Sequence, residues 1–443
     1  MSPAEEQQAA ARHAIDKFRK NAGATVSQQQ AATAKDRPIP EGFCVSKVKI
    51  PPPEATDARA HFLEAVANLS TDQEAFTLPK YGDWEGEWIG STQKPQAALD
   101  ELSQKDKFDI ITRERKSDVV IMHVHGGAYM FGSPITARSI TLPLSALTGG
   151  RCFAVRYRLA PQVQALSLQL DIFMAYLSLL YPPPGAFHSP ISPESIVFAG
   201  DSCGASMTFF IIQLILELRR KQNTQRPTVR WYGQVVHVPL PAGATALSFA
   251  GDHLLCLPSY TTNLQYDMMN SVPPYRSSTG VVDALWPSDP PRGDISCELS
   301  AMTSIVYNPY LADSWRGSPP LYLACGEERL SDGSKLLAQQ AAADGVIVRF
   351  EEYACMPHSF AAMLPKLPQT KRCLGSWAKF IMDCAGRKSM QSEAVRVEIG
   401  NLQESKLDLS KLVNFTRSEA LDMMKAKRRT LRPWTGPDIT TKL

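Results

Sequence analysis

The sequence predicts an α/β fold, with a mostly parallel sheet and helices on both of its faces. From about residue 110 onward, short apolar runs rich in β-branched and aromatic residues alternate with helical segments. This alternation is typical of parallel strands joined by helices that cover both faces of the sheet. The composition agrees, because the 443 residues are 44% hydrophobic and 21% charged, enough apolar material for a large core.

Charge and cysteine usage exclude several classes of protein. Lys and Arg total 47 against 44 for Asp and Glu, and a formal charge of +3 gives no field that would attract nucleic acid. The nine cysteines include no C-x-x-C pair, which argues against a disulfide framework and a zinc ribbon. The N-terminus lacks the apolar segment of a secretory signal, and no apolar run reaches the roughly 20 residues of a membrane span. We therefore expect an intracellular, cytoplasmic protein with no transmembrane helix and no nucleic-acid partner.

The first eighty residues predict a helix, a linker and a contribution to a cap. Ser2 and Glu5 form a capping box around Pro3, which predicts a helix that ends at Gly23. Residues 24–42 are polar and contain two prolines, so we predict a linker or an extended arm there.

Six apolar segments predict the strands of a central domain that covers residues 81–386. They are residues 119–124, 152–157, 195–200, 231–238, 319–325 and 346–353. The fourth and fifth of them are separated by a long stretch rich in Pro, Gly, Ser and Tyr. A long insertion inside a compact domain is typical of a lid, and we place this cap at about residues 239–305.

Residues 387–443 predict a charged, amphipathic tail. Thr416 and Glu419 form a second capping box, which opens a helix. That helix ends in a basic run of Lys425, Lys427, Arg428 and Arg429. The simpler interpretation is a surface helix whose cations stabilise its own C-terminal dipole. The alternative is a contact with a partner or with a membrane surface.

A G-x-S-x-G motif carries the main indication of chemistry. The predicted strand 195–200 continues into Gly200-Asp201-Ser202-Cys203-Gly204, and an apolar helix follows. A sharp turn between strand and helix holds such a serine in a strained conformation with its Oγ exposed. Cys203 beside it invites a cysteine-hydrolase interpretation, which we discount because the turn presents the central residue and its neighbour contributes a backbone N–H.

A glycine pair precedes the serine motif and predicts an oxyanion hole. The strand 119–124 ends in His125-Gly126-Gly127-Ala128. Paired glycines after a strand allow backbone N–H groups to face the oxygen of a tetrahedral intermediate. We expect the N–H groups of Gly126, Gly127, Ala128 and Cys203 to form this hole.

A nucleophilic serine needs a base and an acid, and both are predicted in loops that follow strands. Of the eight histidines, His358 lies just after the last predicted strand, where loops gather at the carboxyl edge of the sheet. The acid should follow the preceding strand, where Glu328 and Asp332 both occur. Glu328 is our first choice, and Asp332 stays open as the second.

Taken together, these motifs resemble the hormone-sensitive-lipase-like branch of the α/β-hydrolases, which includes arylacetamide deacetylases and many microbial carboxylesterases. The matching blocks lie in the family's order over roughly residues 110–385. They are HGGAYMFGS (125–133), AVRYRLAP (154–161), GDSCGAS (200–206), GEERLSD (326–332) and MPHSF (356–360).

The resemblance implies an α/β-hydrolase fold with an eight-stranded, mostly parallel sheet and a cap from the N-terminal region and an insertion. It implies Ser202 as nucleophile, His358 as base and Glu328 as acid, where the family usually has aspartate. It implies no cofactor and no metal. Ala128 replaces the family's third glycine, and Arg156 replaces an acid that the family usually has before Tyr157.

The function that the resemblance implies is hydrolysis of small or medium-sized carboxylic esters, acetyl esters of a specialised metabolite or sterol among them. One alternative is an acyltransferase or amidase that uses the same residues. Another is a small-ligand receptor on a hydrolase fold, because plant gibberellin receptors resemble this family but lack the histidine; the presence of His358 argues against it. The sequence leaves the oligomeric state open.

Overall fold

A ten-stranded sheet forms the centre of the protein, seen here in a computed structural model that describes residues 2–20, 24–71, 74–269 and 282–436. The strands are β1 (Phe43–Ile50), β2 (Trp84–Ser91), β3 (Val120–Val124), β4 (Arg151–Arg156), β5 (Ile196–Asp201), β6 (Thr228–Trp231), β7 (Gln234–His237), β8 (Gly243–Leu247), β9 (Leu321–Gly326), β10 (Val348–Tyr353), β11 (Glu393–Val397) and β12 (Glu404–Lys406). Their order in the sheet is β1-β2-β4-β3-β5-β8-β9-β10-β11-β12, and β6 and β7 form a separate hairpin. From β4 to β11 all neighbours are parallel, while β1, β2 and β12 join in antiparallel pairs.

Helices cover both faces of this sheet, as the alternating pattern predicts. They are α1 (Pro3–Lys20), α2 (Val26–Ala34), α3 (Ala58–Leu69), α4 (Gln96–Asp100), α5 (Gln104–Glu114), α6 (Pro134–Thr148), α7 (Ser167–Leu180), α8 (Cys203–Lys221), α9 (Ser259–Thr262), α10 (Ser331–Ala343), α11 (Phe360–Met363), α12 (Pro368–Ala385) and α13 (Arg417–Thr430). One apolar core contains side chains of α5, α7, α8 and α10, and a second core contains those of α6, α11 and α12. Among the described residues, none of the helices is both long and apolar enough to cross a membrane.

One predicted strand is wrong, and the error moves the start of the insertion. Residues 231–238 lie mostly in the hairpin of β6 and β7, outside the main sheet. The sixth strand of the main sheet is β8, whose sequence Gly-Ala-Thr-Ala-Leu has little of the bulk that predicts strands. Its small residues lie fully buried between β5 and β9. The insertion therefore begins after Leu247 rather than at residue 239, and residues 270–281 within it lie outside the described structure.

The N-terminal segment packs on the domain in more places than predicted. Ser2 and Glu5 cap α1, because Ser2 N donates to Glu5 Oε2 (2.6 Å) and Glu5 N donates to Ser2 Oγ (3.3 Å). The predicted end at Gly23 lies outside the described residues. Part of the predicted linker is the helix α2, which Thr25 caps by accepting from Gln28 N at 3.1 Å. The polar composition of α2 hid it from the sequence analysis, since its contacts to the domain are mostly hydrogen bonds.

The tail extends the sheet by two strands beyond the eight that were predicted. β11 lies parallel to β10, and β12 closes the edge in an antiparallel pair. The predicted capping box opens α13: Thr416 N donates to Glu419 Oε2 at 2.7 Å and Glu419 N donates to Thr416 Oγ1 at 3.2 Å. Met424 of this helix is buried, and Tyr310 donates its hydroxyl to the Met424 sulfur at 3.0 Å. The tail is thus part of the domain surface.

A buried ion pair holds α6 to the sheet. Arg138 donates through Nη2 and Nε to both carboxylate oxygens of Glu87 on β2, at 2.7 and 2.9 Å, and both side chains are almost fully buried. Replacing Arg138 by methionine leaves the Glu87 carboxylate without its main partner, so we expect a loss of about 3–5 kcal/mol in the free energy of unfolding. Urea denaturation at pH 7 measures this loss.

The double variant Arg138→Met/Glu87→Leu is the matched control. It removes both charges and should recover stability to within about 1–2 kcal/mol of the original chain. An equal loss in the single and double variants would show that the helix depends on packing of Arg138 rather than on the ion pair.

Candidate active site

Ser202 occupies a strained turn between β5 and α8. Its backbone has φ 53° and ψ −126°, an uncommon conformation for a residue with a side chain. The turn needs glycine on both sides: a Cβ on Gly204 would lie 2.1 Å from the Val124 carbonyl oxygen, and a Cβ on Gly200 would lie 2.7 Å from Gly204 and Ala205 backbone atoms. The G-x-S-x-G spacing thus matches the space that the turn leaves.

His358 faces the serine from the loop after β10. Its Nε2 lies 2.8 Å from Ser202 Oγ. The two residues are 156 positions apart in the chain, and parallel strands bring them to the same carboxyl edge of the sheet. The imidazole is largely buried, with 10% of its side chain exposed.

Glu328 contacts the other nitrogen of the same imidazole. Its Oε1 lies 2.7 Å from His358 Nδ1, and its side chain is fully buried. The second oxygen, Oε2, accepts from Ser248 Oγ at 2.6 Å and from Gly326 N at 3.0 Å. Ser248 in turn accepts from Ser359 N at 2.8 Å. The carboxylate is therefore held on both oxygens before any substrate arrives.

Asp332, the second choice from the sequence, lies apart from this row. Its Oδ2 accepts from Ser259 N at 2.7 Å, and its own N–H donates to Ser259 Oγ at 3.2 Å. It sits in the first turn of α10 and links that turn to the insertion. Of the two acids left open, Glu328 is the one that the structure brings to His358.

Three carboxylates determine the charge state of the imidazole. Burial of His358 is the largest single influence and would lower its pKa, but the negative charges of Glu328, Asp267 and Asp201, with the Glu328 hydrogen bond, outweigh it and raise the pKa to about 9. Burial raises the pKa of Asp201 to about 6. The hydrogen bond from Gly126 N and the charge of His358 lower this pKa, but burial outweighs them.

The loop 125–129 lies beside Ser202, but one of its predicted donors is already used. Gly126 N donates to Asp201 Oδ1 at 3.0 Å, so this N–H is not available to an oxyanion as the sequence analysis expected. The signal was present in the sequence, since Asp201 directly precedes the serine. Within the described structure, no protein acceptor is found for the N–H groups of Gly127 and Cys203. Ala128 has φ 49°, which turns the loop at this point.

Two contacts that sequence reasoning missed fix this loop in place. Tyr157 donates its hydroxyl to the His125 carbonyl at 2.7 Å and stacks on the His125 ring at 4.2 Å. Tyr129 N donates to the sulfur of Cys203 at 3.2 Å. The Cys203 side chain therefore points to the loop, and burial raises the pKa of its thiol to about 12, which keeps it neutral.

The insertion also holds the acid loop, in a way that no motif indicated. Asn263 Nδ2 donates to the Glu328 carbonyl at 3.0 Å, and Arg329 N donates to Asp267 Oδ2 at 2.7 Å. The guanidinium of Arg329 returns to the insertion and donates to the carbonyl of Tyr260. The backbone of the acid is thus clamped by the segment 259–269.

The row of Ser202, His358 and Glu328 can move a proton from a hydroxyl to an imidazole and stabilise the resulting charge. Both ring nitrogens of His358 are already engaged within the row, one with Glu328 and the other with Ser202. Across the described ranges, the donor atoms that lie close enough to share a metal ion belong to His253, Asp294 and Cys297, outside this row.

Comparisons with known proteins identify the family of the chain. The family described as the α/β-hydrolase fold matches residues 121–362, more than half of the chain. An esterase of Acinetobacter venetianus is 27% identical over 276 residues, which cover 61% of this chain and 77% of the relative. An acetyl-hydrolase of Streptomyces hygroscopicus is 26% identical over 282 residues, covering 61% of this chain and 78% of the relative.

Solved structures share the fold. An esterase/lipase from an uncultured bacterium superposes with a TM-score of 0.55 at 20% identity and covers 84% of this chain and 99% of its own. An esterase from the bacterial hormone-sensitive lipase family gives 0.54 at 20% identity, with 85% and 98% covered. Both show the same fold as this chain. The chain belongs to the α/β-hydrolase fold family that its motifs predict.

Proposed function

We propose that this protein is a serine esterase that hydrolyses small to medium-sized carboxylic esters through an acyl-enzyme. The observation that carries the proposal is the hydrogen-bonded row in which His358 uses one ring nitrogen for Ser202 and the other for Glu328. This division of the two nitrogens is what a general base needs, because the acid fixes the tautomer that leaves Nε2 free to accept a proton. The named esterase and acetyl-hydrolase relatives support the same reaction class.

In the first half of the reaction, Ser202 Oγ attacks the ester carbonyl while His358 Nε2 takes its proton. The charge of Glu328 stabilises the imidazolium that forms. Backbone N–H groups of Gly127, Ala128 and Cys203 stabilise the oxyanion, while Gly126 N keeps its bond to Asp201. The imidazolium then protonates the leaving alcohol, and Ser202 remains acylated.

In the second half, His358 takes a proton from water, and the hydroxide attacks the acyl carbonyl. The same N–H groups hold the second oxyanion, and collapse of this intermediate releases the carboxylic acid and returns the proton to Ser202. An acyltransferase would use the same residues and pass the acyl group to an alcohol or amine, which requires the insertion to exclude water. An amidase would use them on an amide, with an amine as leaving group and water still as the acyl acceptor.

Hydrolysis of p-nitrophenyl acetate, butyrate, octanoate and palmitate tests the proposal. We expect turnover that is fastest for the acetate or butyrate, with the Ser202→Ala variant as the background. Addition of methanol or a primary amine tests the acyltransferase, which would form the methyl ester or the amide in preference to the free acid. Hydrolysis of p-nitroacetanilide tests the amidase. Equal background rates for both proteins with every ester would contradict the esterase and favour a receptor.

The pH dependence of the esterase activity should follow the protonation of His358, the general base. Only neutral His358 can accept the serine proton, and its pKa is raised to about 9. We therefore expect kcat/KM for a neutral ester to rise with pH through an inflection near pH 9 and to level off above it. Initial rates with p-nitrophenyl butyrate between pH 5 and 10 measure this profile. Full activity at pH 6 would contradict it.

A further inference from the structure

A second group of reactive side chains lies in the insertion, close to the loop 125–129. His253 Nε2 is 3.3 Å from Asp294 Oδ1 and 4.0 Å from Cys297 Sγ. All three donor atoms lie within 4.8 Å of one another, and the side chains of Asp294 and Cys297 are buried. The mechanism proposed above uses none of these three residues.

The geometry differs from that of a proton relay. At His358 each ring nitrogen has its own partner, with 2.7 Å to the acid and 2.8 Å to the serine. At His253 a single nitrogen faces both Asp294 and Cys297. Its distance to the carboxylate exceeds the roughly 2.7–2.9 Å of a charge-assisted hydrogen bond. Three different donor atoms thus lie within 4.8 Å of one another, and Asp294 Oδ1 is held in place by hydrogen bonds from Ser296 N at 2.9 Å and Ser296 Oγ at 2.7 Å.

The spacing and the donor types fit zinc. In a tetrahedral site with bonds of about 2.0–2.1 Å to nitrogen and oxygen and about 2.3 Å to sulfur, donor atoms lie roughly 3.3–3.6 Å apart. The nitrogen–oxygen distance of 3.3 Å already has this value. The nitrogen–sulfur distance of 4.0 Å must shorten by a few tenths of an ångström, and the oxygen–sulfur distance, which is within 4.8 Å, must close to the same range when the ion binds. An imidazole, a thiolate and a carboxylate together favour zinc over the hard cations Mg²⁺ and Ca²⁺.

The surroundings hold the histidine ring in place for such a role. Tyr307 stacks on it with 4.3 Å between the ring centroids, and the Tyr129 ring packs against it in a T-shaped arrangement with 5.5 Å between the centroids. The backbone N–H of His253 donates to Asn308 Oδ1 at 3.1 Å. Tyr129 also donates its N–H to the Cys203 sulfur, so the cluster borders the loop that flanks Ser202.

We propose that His253, Asp294 and Cys297 bind one structural Zn²⁺ that ties the two ends of the insertion together beside the loop 125–129. Residue 253 lies before the undescribed segment 270–281 and residues 294–297 lie after it, so one ion would fix both ends. Burial raises the pKa of the Cys297 thiol, and binding must therefore release its proton. The fourth ligand would be water.

Cobalt substitution in the full chain tests this proposal without relying on esterase activity. After dialysis against a chelator and its removal, Co²⁺ is added to the folded protein. We expect one equivalent to produce the visible bands of tetrahedral Co²⁺ and a near-ultraviolet sulfur-to-cobalt band, both lost when Zn²⁺ displaces it. The midpoint of thermal unfolding should rise by several degrees with excess Zn²⁺. Absence of both bands in the unmodified chain would overturn the proposal.

Variants assign the ligands. Cys297→Ser should lose the sulfur-to-cobalt band and the Zn²⁺-dependent rise in Tm. The control Cys256→Ser, which changes another cysteine of the insertion, should keep both. His253→Phe preserves the stacking on Tyr307 without a donor nitrogen and serves if Cys297→Ser fails to fold. A sulfur-to-cobalt band that survives Cys297→Ser or His253→Phe would place the metal elsewhere and overturn the assignment.

Discussion

Replacing Ser202 by alanine is expected to lower kcat for p-nitrophenyl butyrate by about 10⁴-fold or more, because removal of the nucleophile leaves no route to the acyl-enzyme. KM should change little, since the oxyanion donors and the insertion remain. The backbone strain at φ 53° should largely remain in the variant, because alanine still carries a Cβ. Stopped assays with the purified variant measure this loss. They need an enzyme concentration high enough to detect a small remaining activity.

Ser195 provides the matched control. It lies at the opposite end of the same strand, just before β5. We expect Ser195→Ala to retain activity within about twofold of the original chain, because surface changes of this kind usually alter stability by less than about 0.5 kcal/mol. A Ser202→Ala variant that kept more than a tenth of the activity would contradict the assignment of the nucleophile.

Glu328→Gln is expected to lower kcat by about 10³–10⁴-fold. An amide can offer its NH₂ group to His358 Nδ1, which selects the tautomer whose Nε2 carries the proton, and it cannot stabilise an imidazolium by charge. Removing this negative charge should also lower the pKa of His358, because Glu328 is the strongest of the influences that raise it. The inflection of the pH profile should therefore move to lower pH. Initial rates between pH 5 and 10 give both quantities.

Asp332→Asn is the matched control for the acid. Asparagine keeps an oxygen that can accept from Ser259 N, so we expect kcat within about threefold and an unchanged pH inflection. If Asp332→Asn lost as much activity as Glu328→Gln, or if Glu328→Gln lowered kcat without moving the inflection, the role of Glu328 beside the imidazole would be wrong.

Much of the site could be predicted because its chemistry depends on local sequence. The turn around Ser202 needs glycine at positions 200 and 204, where a Cβ would collide with the backbone. The G-x-S-x-G pentapeptide has glycine at both positions, so the sequence alone indicates the turn. His358 follows the last of the strands predicted before the tail, and parallel topology brings the ends of such strands together. Five of the six predicted strands lie within two residues of the observed bounds.

The failures have equally specific causes. β8 is built from small residues whose burial depends on its neighbours β5 and β9, and a single-sequence pattern cannot see those neighbours. The hairpin of β6 and β7 has the apolar composition that β8 lacks, so the sequence pattern predicts the sheet strand there. The strands β11 and β12 of the tail are short and contain charged residues, which are common in an edge strand such as β12, and the pattern there predicts only an amphipathic tail.

The choice between Glu328 and Asp332 as the acid required the three-dimensional structure. Glu328 and Asp332 lie four residues apart and follow the same strand, so spacing alone could not separate them. The structure separates them through partners that are distant in sequence: His358 and Ser248 for Glu328, and Ser259 for Asp332. The use of the Gly126 N–H by Asp201 is another contact between distant segments, and it removes one predicted donor from the oxyanion hole.

Covalent labelling of the full chain by diethyl p-nitrophenyl phosphate tests the central claim most directly. Ser202 Oγ would attack phosphorus, p-nitrophenolate would leave, and one diethylphosphoryl group would stay on the enzyme. Intact mass and peptide mapping should find one adduct per chain, on the peptide that carries Ser202, with residual esterase activity proportional to the unlabelled fraction. Loss of activity with the adduct on Cys203 or on another residue, or full activity after complete labelling of Ser202, would contradict the account.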